Sequence, residues 1–524
     1  MRPHHLLLPS LVLVTGCAGI SLSYDQGAEA PRDASDTGYS EADADTDPDD
    51  DTEWESETEQ DFLMLAPATT DAYVFVANPD RDTVTRVAVP SLEVITVDVG
   101  VNPSVAVTTV DYSKAVVFNE GSDDVSILDA DTLDEVRVEV REHLNAMELS
   151  PDGEWVICYR DVDVDVDADD EEPEDDGGVE SYNEISLVNT SSYDHWPMVV
   201  GFNPHEVVYT AESELALVVS DAYVALIDLT VAEPEPYLVQ LADDLLDPPA
   251  AEEIEIAPDG SYAFVRQFGA DEIAILDLVT ATVDRVPVGY NPTDLDITPD
   301  GSRAVVVSRG DQELWLLETA DPFAPAEVVP LPDGYVLGSL QLSPDGETGI
   351  LYTTATLQDR YATWDISTGE VTMRGLVKPV MSMSVSPTGE SLLVFHTLED
   401  AEDADSSSPY YGEWAMTLLD MDDFRSNPMR LAAEPEAYAH ADDGEHGFFI
   451  MTGQDHLVVL DYGTLLPEDI ELKSEPLHVG TLPGSDWAYA SQEHYLGRIS
   501  FYDSDSGALE TITGFELNSE IEHE

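Results

Sequence analysis

The sequence contains very few basic residues. Of its 524 residues, 19 are Lys or Arg and 110 are Asp or Glu, which gives a formal net charge of -91. Only three of the basic residues are lysines, Lys114, Lys378 and Lys473. A chain with this charge repels phosphate backbones, so we expect no nucleic-acid partner. The same charge argues against direct electrostatic docking on anionic lipid.

Cysteine is equally scarce, since the chain has only Cys17 and Cys158. Cys17 falls in a targeting segment, which excludes an intramolecular disulfide framework and a Cys-based zinc site. Cys158 lies in the apolar run 155–159 and is predicted to be a buried, inert thiol. The chain also lacks a His-Glu-x-x-His motif, a haem-type Cys-x-x-Cys-His, a nucleophile elbow and a glycine-rich phosphate loop. We therefore expect a protein that is not an enzyme.

The acidic charge is not confined to a few segments. The ranges 24–61, 161–180 and 399–405 hold 33 acidic residues, which leaves 77 acidic residues on the rest of the chain. The surface of the folded body is therefore acidic itself. Adaptation to a salty medium and divalent-cation binding both account for this surface. High-GC codon usage explains the scarcity of lysine without either of them.

The first 16 residues have the features of a signal peptide. The apolar stretch Leu6–Val14 is too short to span a bilayer and is followed by Thr15-Gly16-Cys17. The string Val-Thr-Gly-Cys resembles the lipobox of bacterial lipoproteins, which implies lipidation of Cys17 and cleavage just before it. An ordinary secretory signal is the alternative. Ala18, where an inner-membrane retention signal has Asp, favours the outer membrane. We expect a protein anchored in the bacterial cell envelope, on its periplasmic or surface face.

The segment that follows the lipidated cysteine is predicted to be a tether. Residues 17–61 are dominated by Asp, Glu, Ser, Thr and Ala, and 16 of the residues in 24–61 are acidic. Such a segment buries too little apolar surface to offset the entropy cost of ordering, and like charges extend it. The predicted domains are therefore the signal peptide 1–16, the disordered acidic tether 17–61 and a folded body 62–524.

The folded body is a repeat with a period of 41–45 residues. Pro-Asp-Gly occurs at 151–153, 258–260, 299–301 and 344–346, and Pro-Thr-Gly occurs at 387–389. Degenerate copies near Ala68, Asp111, Glu212, Asp443 and Gly484 bring the count to about ten units between 62 and 515. Within a unit, a short apolar strand precedes the Pro-Asp-Gly turn and a second strand follows it. A third strand ends in Asp, often followed by Thr, and a fourth leads to Val-Gly-x-Asn-Pro. Four short strands per unit are typical of propeller blades.

These motifs allow a comparison with a known repeat family. Tyr73–Asn78, the Pro-Asp-Gly turns, the Asp-x-x-Thr turns and the Val-Gly-x-Asn-Pro segments resemble the YVTN family of β-propellers. The resemblance covers about 62–515, and is clearest at 102–143 and 250–378. It implies an all-β propeller of four-stranded blades, in one large ring of eight to ten. It implies no single activity.

The resemblance also predicts which loops share a face. In the family's strand order, loops after second strands and loops after fourth strands emerge on the same side. Both long acidic insertions, 161–180 and 399–413, follow second strands. Arg81, Arg160, Arg266, Arg309 and Arg360 lie at or just past second strands, and Asn102, Asn203 and Asn291 lie in loops after fourth strands. One interpretation is a rim that binds an anionic or hydroxylated ligand. The other is that each arginine pairs with a nearby carboxylate and fixes its loop.

Two further hypotheses concern metal and activity. The run Asp161, Asp163, Asp165 and Asp167 offers oxygen ligands for Ca²⁺, but it lacks the glycine and closing glutamate of an EF-type loop. A solvated acidic run is the alternative. The favoured function is a non-catalytic binding scaffold in the envelope, with a protein or a polysaccharide as ligand. The alternative is a lactonase-like propeller hydrolase with a metal at the channel mouth.

Overall fold

The protein forms a ring of ten β-sheets, as seen in a computed structural model. The structure describes residues 67–161, 182–242, 251–267, 269–402, 404–492, 494, 496–515 and 522–523. Each sheet is antiparallel and is built on four strands that are consecutive in the chain, in the spatial order first, second, third, fourth; the last sheet carries a fifth, short strand at its outer edge. This arrangement confirms the predicted all-β propeller and fixes the number of blades at ten.

The blades are numbered in chain order, and their strands have the following bounds. Blades 1 to 5 comprise β1 Ala68–Thr69, β2 Tyr73–Asn78, β3 Thr83–Ala88, β4 Glu93–Asp98; β5 Pro103–Thr108, β6 Lys114–Asn119, β7 Asp124–Asp129, β8 Glu135–Glu139; β9 Ala146–Leu149, β10 Trp155–Tyr159, β11 Glu184–Asn189, β12 His195–Val199; β13 Pro204–Tyr209, β14 Leu215–Ser220, β15 Tyr223–Asp228, β16 Pro236–Gln240; β17 Ala251–Ile256, β18 Tyr262–Gln267, β19 Glu272–Asp277, β20 Thr282–Pro287.

Blades 6 to 10 follow the same plan. They comprise β21 Pro292–Ile297, β22 Arg303–Ser308, β23 Glu313–Glu318, β24 Glu327–Pro330; β25 Ser339–Leu342, β26 Thr348–Tyr352, β27 Arg360–Asp365, β28 Val371–Gly375; β29 Val380–Val385, β30 Ser391–His396, β31 Ala415–Asp420, β32 Ser426–Arg430; β33 Pro435–His440, β34 His446–Met451, β35 His456–Asp461, β36 Leu466–Glu471; β37 Pro476–Thr481, β38 Trp487–Gln492, β39 Arg498–Asp503, β40 Ala508–Thr513. A short strand β41, Glu522–His523, pairs with β40 at the outer edge of blade 10.

Local turn chemistry explains why each unit folds into strands of this length. In the Pro-Asp-Gly turn of blade 3, Gly153 has φ 71°, and its N–H donates to the Ser150 carbonyl at 2.8 Å. The Asp152 carboxylate accepts the Glu154 N–H at 3.0 Å. Asp129, at the end of a third strand, likewise accepts the Thr132 N–H at 2.8 Å. The prediction that these aspartates accept backbone hydrogen bonds is confirmed.

The hydrophobic core is divided among the blade interfaces. Among the described residues, buried apolar side chains form ten clusters, and each cluster is shared by two neighbouring blades. The cluster that closes the ring joins Val74 and Val87 of blade 1 to Phe501 and Ile512 of blade 10. Across the same seam, the Tyr489 hydroxyl donates to the Pro67 carbonyl at 2.9 Å. Closure therefore depends on side-chain packing and not on a shared sheet.

The second acidic insertion folds back onto the ring. It lies between β30 and β31, so it follows a second strand as predicted. The buried Lys378 ammonium contacts the Asp400 carboxylate at 2.8 Å, and the other Asp400 oxygen accepts the Gly412 N–H at 2.7 Å. The ion pair anchors the insertion at its start, and the hydrogen bond from Gly412 ties a point near its end to the same carboxylate. In the described part of the chain, no helix is long and apolar enough to cross a membrane.

Candidate functional site

Loops after second strands and loops after fourth strands lie on one face of the ring. In blade 2, the Asn102 carbonyl accepts the Glu120 N–H at 3.0 Å, which joins the loop before β5 to the loop after β6. The Arg309 N–H donates to the Asn291 carbonyl at 3.0 Å in the same way in blade 6. We call this side the insertion face. The predicted sharing of one face by these loops is confirmed.

A polar cavity of about 360 Å³ opens on the insertion face between blades 2 and 3. Two of the residues proposed from the sequence, Asn102 and Arg160, lie in its wall although they are 58 positions apart. The full lining is Asn102, Glu120, Gly121, Asp123, His143, Leu144, Asn145 and Arg160. The cavity thus presents amides, carboxylates, an imidazole and a guanidinium, which together donate and accept hydrogen bonds.

Hydrogen bonds between side chains and the backbone hold the cavity wall in place. The Asp123 carboxylate accepts the His143 N–H at 3.1 Å, so the loop after β6 is tied to the loop before β9. The Asn145 side-chain amide donates to the Asp161 carbonyl at 2.7 Å, and its oxygen accepts the Asp161 N–H at 2.7 Å. This paired contact fixes the point at which the first acidic insertion leaves the blade. The lining groups are therefore preorganised before any ligand arrives.

A pair of aromatic side chains packs next to Arg160, one of the residues that line the cavity. The Arg160 guanidinium lies 5.3 Å from the centre of the Tyr182 ring, a cation–π contact. The Tyr182 ring lies 6.0 Å from the Phe202 ring at an interplanar angle of 51°. Phe202 is 61% exposed, although it is a large apolar side chain. Asp161 and Tyr182 are the described residues on either side of the first insertion.

The three predicted asparagines share one backbone conformation. Asn102, Asn203 and Asn291 have φ of 51°, 55° and 52°, in the left-handed region that Asn tolerates better than most residues. The Asn203 amide also donates to the Asp221 carboxylate at 3.0 Å, and Asn291 is buried. All three therefore shape the loop that enters a first strand, and Asn102 is the one of the three that also lines the cavity.

The five arginines are distributed over five blades and do not converge. Arg266 lies within β18, and its guanidinium forms ion pairs with Glu252 and Glu253; the Nε to Glu253 Oε2 distance is 2.9 Å. Arg360 is the first residue of β27 and contacts Asp359 at 2.7 Å. Arg309 is buried on blade 6, and Arg81 ends a short 3-10 helix, Pro79–Arg81, on blade 1. Pairing with a nearby carboxylate therefore describes Arg266 and Arg360, whereas Arg160 lines the cavity.

Acidic side chains on the inner strands form a second polar group that the sequence reasoning missed. The first strands of neighbouring blades contact each other and surround the ring axis. Glu206, Glu253 and Asp294 occupy matching positions on the first strands of blades 4, 5 and 6, and Glu255 and Asp296 lie two residues further on. Burial raises the pKa of Glu206 to about 8, and nearby Glu253 adds to the shift while Arg266 opposes it. The sequence does contain a signal for this group: acidic residues alternate with other residues in 253–255 and in 294–296, so they point to the same side of their strands.

Histidines near the end of the chain serve a structural purpose in at least one place. Ser384 Oγ lies 2.8 Å from His440 Nε2, which ties the first strand of blade 8 to that of blade 9. His440 Nδ1 contacts the Tyr462 hydroxyl at 2.5 Å. Burial lowers the pKa of His440 to about 4, so the ring stays neutral at physiological pH. Gly447 makes room for Tyr462, because a Cβ there would lie 2.1 Å from the hydroxyl.

Two of the predicted sites lie wholly or mostly outside the described residues. Cys17 is outside them, as are Asp163, Asp165 and Asp167; of the proposed calcium run only Asp161 is described. Among the described residues, one group of side chains has ligand atoms close enough for a single ion: Asp443, Glu445 and His446, in the turn between β33 and β34. That turn lies on the face opposite to the insertion face. Cys158 is buried, as predicted.

Comparisons with known proteins support the fold. The sequence matches no family model and no curated protein. A solved structure of a eukaryotic initiation factor is similar, with a TM-score of 0.50 and 11% identity, over 78% of this chain and 96% of that chain. Dihydro-heme d1 dehydrogenase NirN (TM-score 0.42, 14% identity, covering 76% and 72%) and hydrazine synthase of Kuenenia stuttgartiensis (0.35, 16%, covering 59% and 95%) are more distant. At these identities the similarity concerns the fold alone.

Proposed function

We propose that this protein is an envelope-anchored lipoprotein of the YVTN propeller type that acts as a non-catalytic binding scaffold. Cys17 carries the lipid, the acidic segment 17–61 serves as a tether, and the ring presents its insertion face to a protein or polysaccharide of the envelope. The observation that carries the proposal is the cavity between blades 2 and 3. It has a polar, preorganised wall, and its Arg160 adjoins an aromatic pair, Tyr182 and the exposed Phe202, on the insertion face.

The experiment compares the binding of variants to isolated bacterial envelope fractions by co-sedimentation of the purified full-length protein. Arg160→Ala and a deletion of 163–178 alter the insertion face without removing a blade strand. Glu347→Ala, an exposed residue in the opposite-face turn of blade 7, is the matched control. We expect binding to weaken for at least one of the insertion-face variants and to persist for the control. Equal binding by all variants, or a loss confined to Glu347→Ala, would refute the proposal.

A propeller hydrolase of lactonase-like type is the second candidate, and the inner-strand carboxylates favour it. Glu206 is 9% exposed, and burial together with the nearby Glu253 raises the pKa of its carboxyl group. Carboxylate oxygens suit a hard cation such as Ca²⁺, although in the described structure Glu206, Glu253 and Glu255 lie too far apart to hold one ion together. A bound cation supplies Lewis acidity that activates water. Arg266 competes with such a cation, since it already pairs with Glu253.

Lactone hydrolysis measured by pH-stat, with and without added Ca²⁺, separates the two candidates. The hydrolase hypothesis predicts turnover that requires Ca²⁺ and is lost in Glu206→Gln. The scaffold hypothesis predicts no turnover above the uncatalysed rate under either condition, together with envelope binding that Glu206→Gln leaves unchanged.

A further inference from the structure

We infer that the cavity between blades 2 and 3 binds an uncharged saccharide of one or two rings, with the Tyr182–Phe202 pair as its aromatic platform. The inference deepens the proposed binding function and rests on it. Three features of the site carry it: the charge balance of the lining, the mixture of hydrogen-bonding groups, and the exposed aromatic rim.

The charge balance disfavours an anionic ligand. Glu120 and Asp123 bring two carboxylates to the lining, and Arg160 brings one guanidinium. The surrounding chain carries a formal charge of -91, so an anion approaches against a repulsive field. A ligand without formal charge meets no such penalty. Of the two chemistries predicted from the sequence, anionic and hydroxylated, the hydroxylated one fits the cavity.

The hydrogen-bonding groups suit hydroxyls, because a hydroxyl both donates and accepts. Asn102 is an amide with both capacities, the two carboxylates accept, and Arg160 donates. Asn145 uses one amide N–H and one oxygen lone pair on Asp161, which leaves it one further N–H and one further lone pair. The volume of about 360 Å³ lies near the lower end of the ~300–1,000 Å³ that is usual for small-molecule sites, which limits the ligand to one or two sugar rings.

The aromatic rim supplies an apolar surface for the C–H face of a sugar ring. Phe202 occupies the variable position of its Val-Gly-x-Asn-Pro segment and is mostly exposed. Tyr182 contacts the guanidinium of Arg160, a residue of the cavity wall, and Phe202 packs on the far side of Tyr182, so the aromatic pair adjoins the cavity through Arg160.

Binding to defined saccharides tests the inference. The full-length protein would be titrated by calorimetry with maltotriose, cellotriose and N,N′,N″-triacetylchitotriose as uncharged probes, and with trigalacturonate as an anionic probe; each trisaccharide would place one or two of its rings in the cavity. Phe202→Ala removes the platform. Asn102→Gly removes the cavity amide and keeps a residue that accepts φ 51°. Tyr290→Ala is the matched control, since Tyr290 is the exposed aromatic at the same position of the loop before blade 6.

We expect at least one uncharged probe to bind, and trigalacturonate to bind more weakly or not at all. Phe202→Ala and Asn102→Gly should each lower the affinity about five- to tenfold, whereas Tyr290→Ala should change it by less than about twofold. No binding of any uncharged probe, stronger binding of trigalacturonate, or an equal effect of Phe202→Ala and Tyr290→Ala would overturn the inference. If envelope binding persists in the absence of saccharide binding, the scaffold proposal stands and the ligand is a protein.

Discussion

The substitution Glu206→Gln should change how the stability of the ring depends on pH. Burial raises the pKa of this carboxyl from an ordinary value of 4.5 to about 8, with a further contribution from Glu253. Arg266 attracts the charged form, and Glu148 repels it. The folded protein therefore keeps a proton on Glu206 at a pH where the unfolded chain has released it.

The sign of the effect follows from proton linkage. Below about pH 4.5 the carboxyl is protonated in both states, so the full stability is present. Between pH 4.5 and 8 the folded state binds more protons than the unfolded state, so stability falls as the pH rises. Each pKa unit corresponds to about 1.4 kcal/mol, so the shift sets an upper limit of roughly 5 kcal/mol. Relaxation of the surrounding carboxylates and screening by salt reduce this to on the order of 2–4 kcal/mol.

Thermal midpoints at pH 4.5, 6 and 8, at constant ionic strength, measure the effect. Glutamine has nearly the same shape as protonated glutamate and does not ionise, so Glu206→Gln should equal the wild type at pH 4.5 and exceed it by several degrees at pH 8. Glu510→Gln, on the exposed side of the outer strand β40, is the control and should follow the wild type throughout. A constant difference between Glu206→Gln and the wild type across the pH range would refute the reasoning.

Three further predictions concern other parts of the chain. A fatty-acid probe fed to the cells should label the wild type and not Cys17→Ser; equal release of both proteins into the soluble fraction would contradict lipid anchoring. Thermal midpoints should rise from low to molar NaCl, because screening reduces the repulsion within an acidic body, and a flat or falling midpoint would indicate that bound cations already balance the charge. Lys378→Met leaves Asp400 without its buried partner, so it should destabilise the protein by about 3 kcal/mol. It should also speed proteolysis within 399–413, and an unchanged cleavage rate would contradict the anchoring of that insertion.

The fold was predictable because its determinants are local. A turn such as 150–153 depends on its own Pro, Asp and Gly, so the spacing of such turns counts the blades without any tertiary information. The blades outside the clearest repeats, such as blade 4 and blades 9 and 10, have the same order of four strands as the others. In those segments alternating apolar residues preserve the packing between blades although the turn residues have changed.

The site was less predictable because it depends on which loops of separate blades become neighbours. Asn102 and Arg160 were both proposed from the sequence, yet only the ring brings them into one wall together with His143 and Asn145. Arg266 was proposed for the same reason as Arg160, but it lies within its strand and pairs with inner-strand carboxylates. Neighbouring residues of a strand point to opposite faces, so a shift of one position reverses the direction of a side chain. The approximate position of a loop in the sequence does not define the strand end that closely, and it therefore could not distinguish Arg160 from Arg266.

Within the described residues, the strands of each blade are consecutive in the chain, and no sheet contains strands from both the first and the last blade. The ring is thus a modular object in which one repeat can be gained or lost whole, since duplication of about 43 residues adds a complete sheet and leaves all other sheets intact. Each added unit also brings its own apolar faces, so the circumference can grow without redesign of the existing interfaces. For the same reason a circular permutant that opens the ring at any loop between blades keeps all ten sheets. Duplication or deletion of one repeat within the gene would therefore change the number of blades by one.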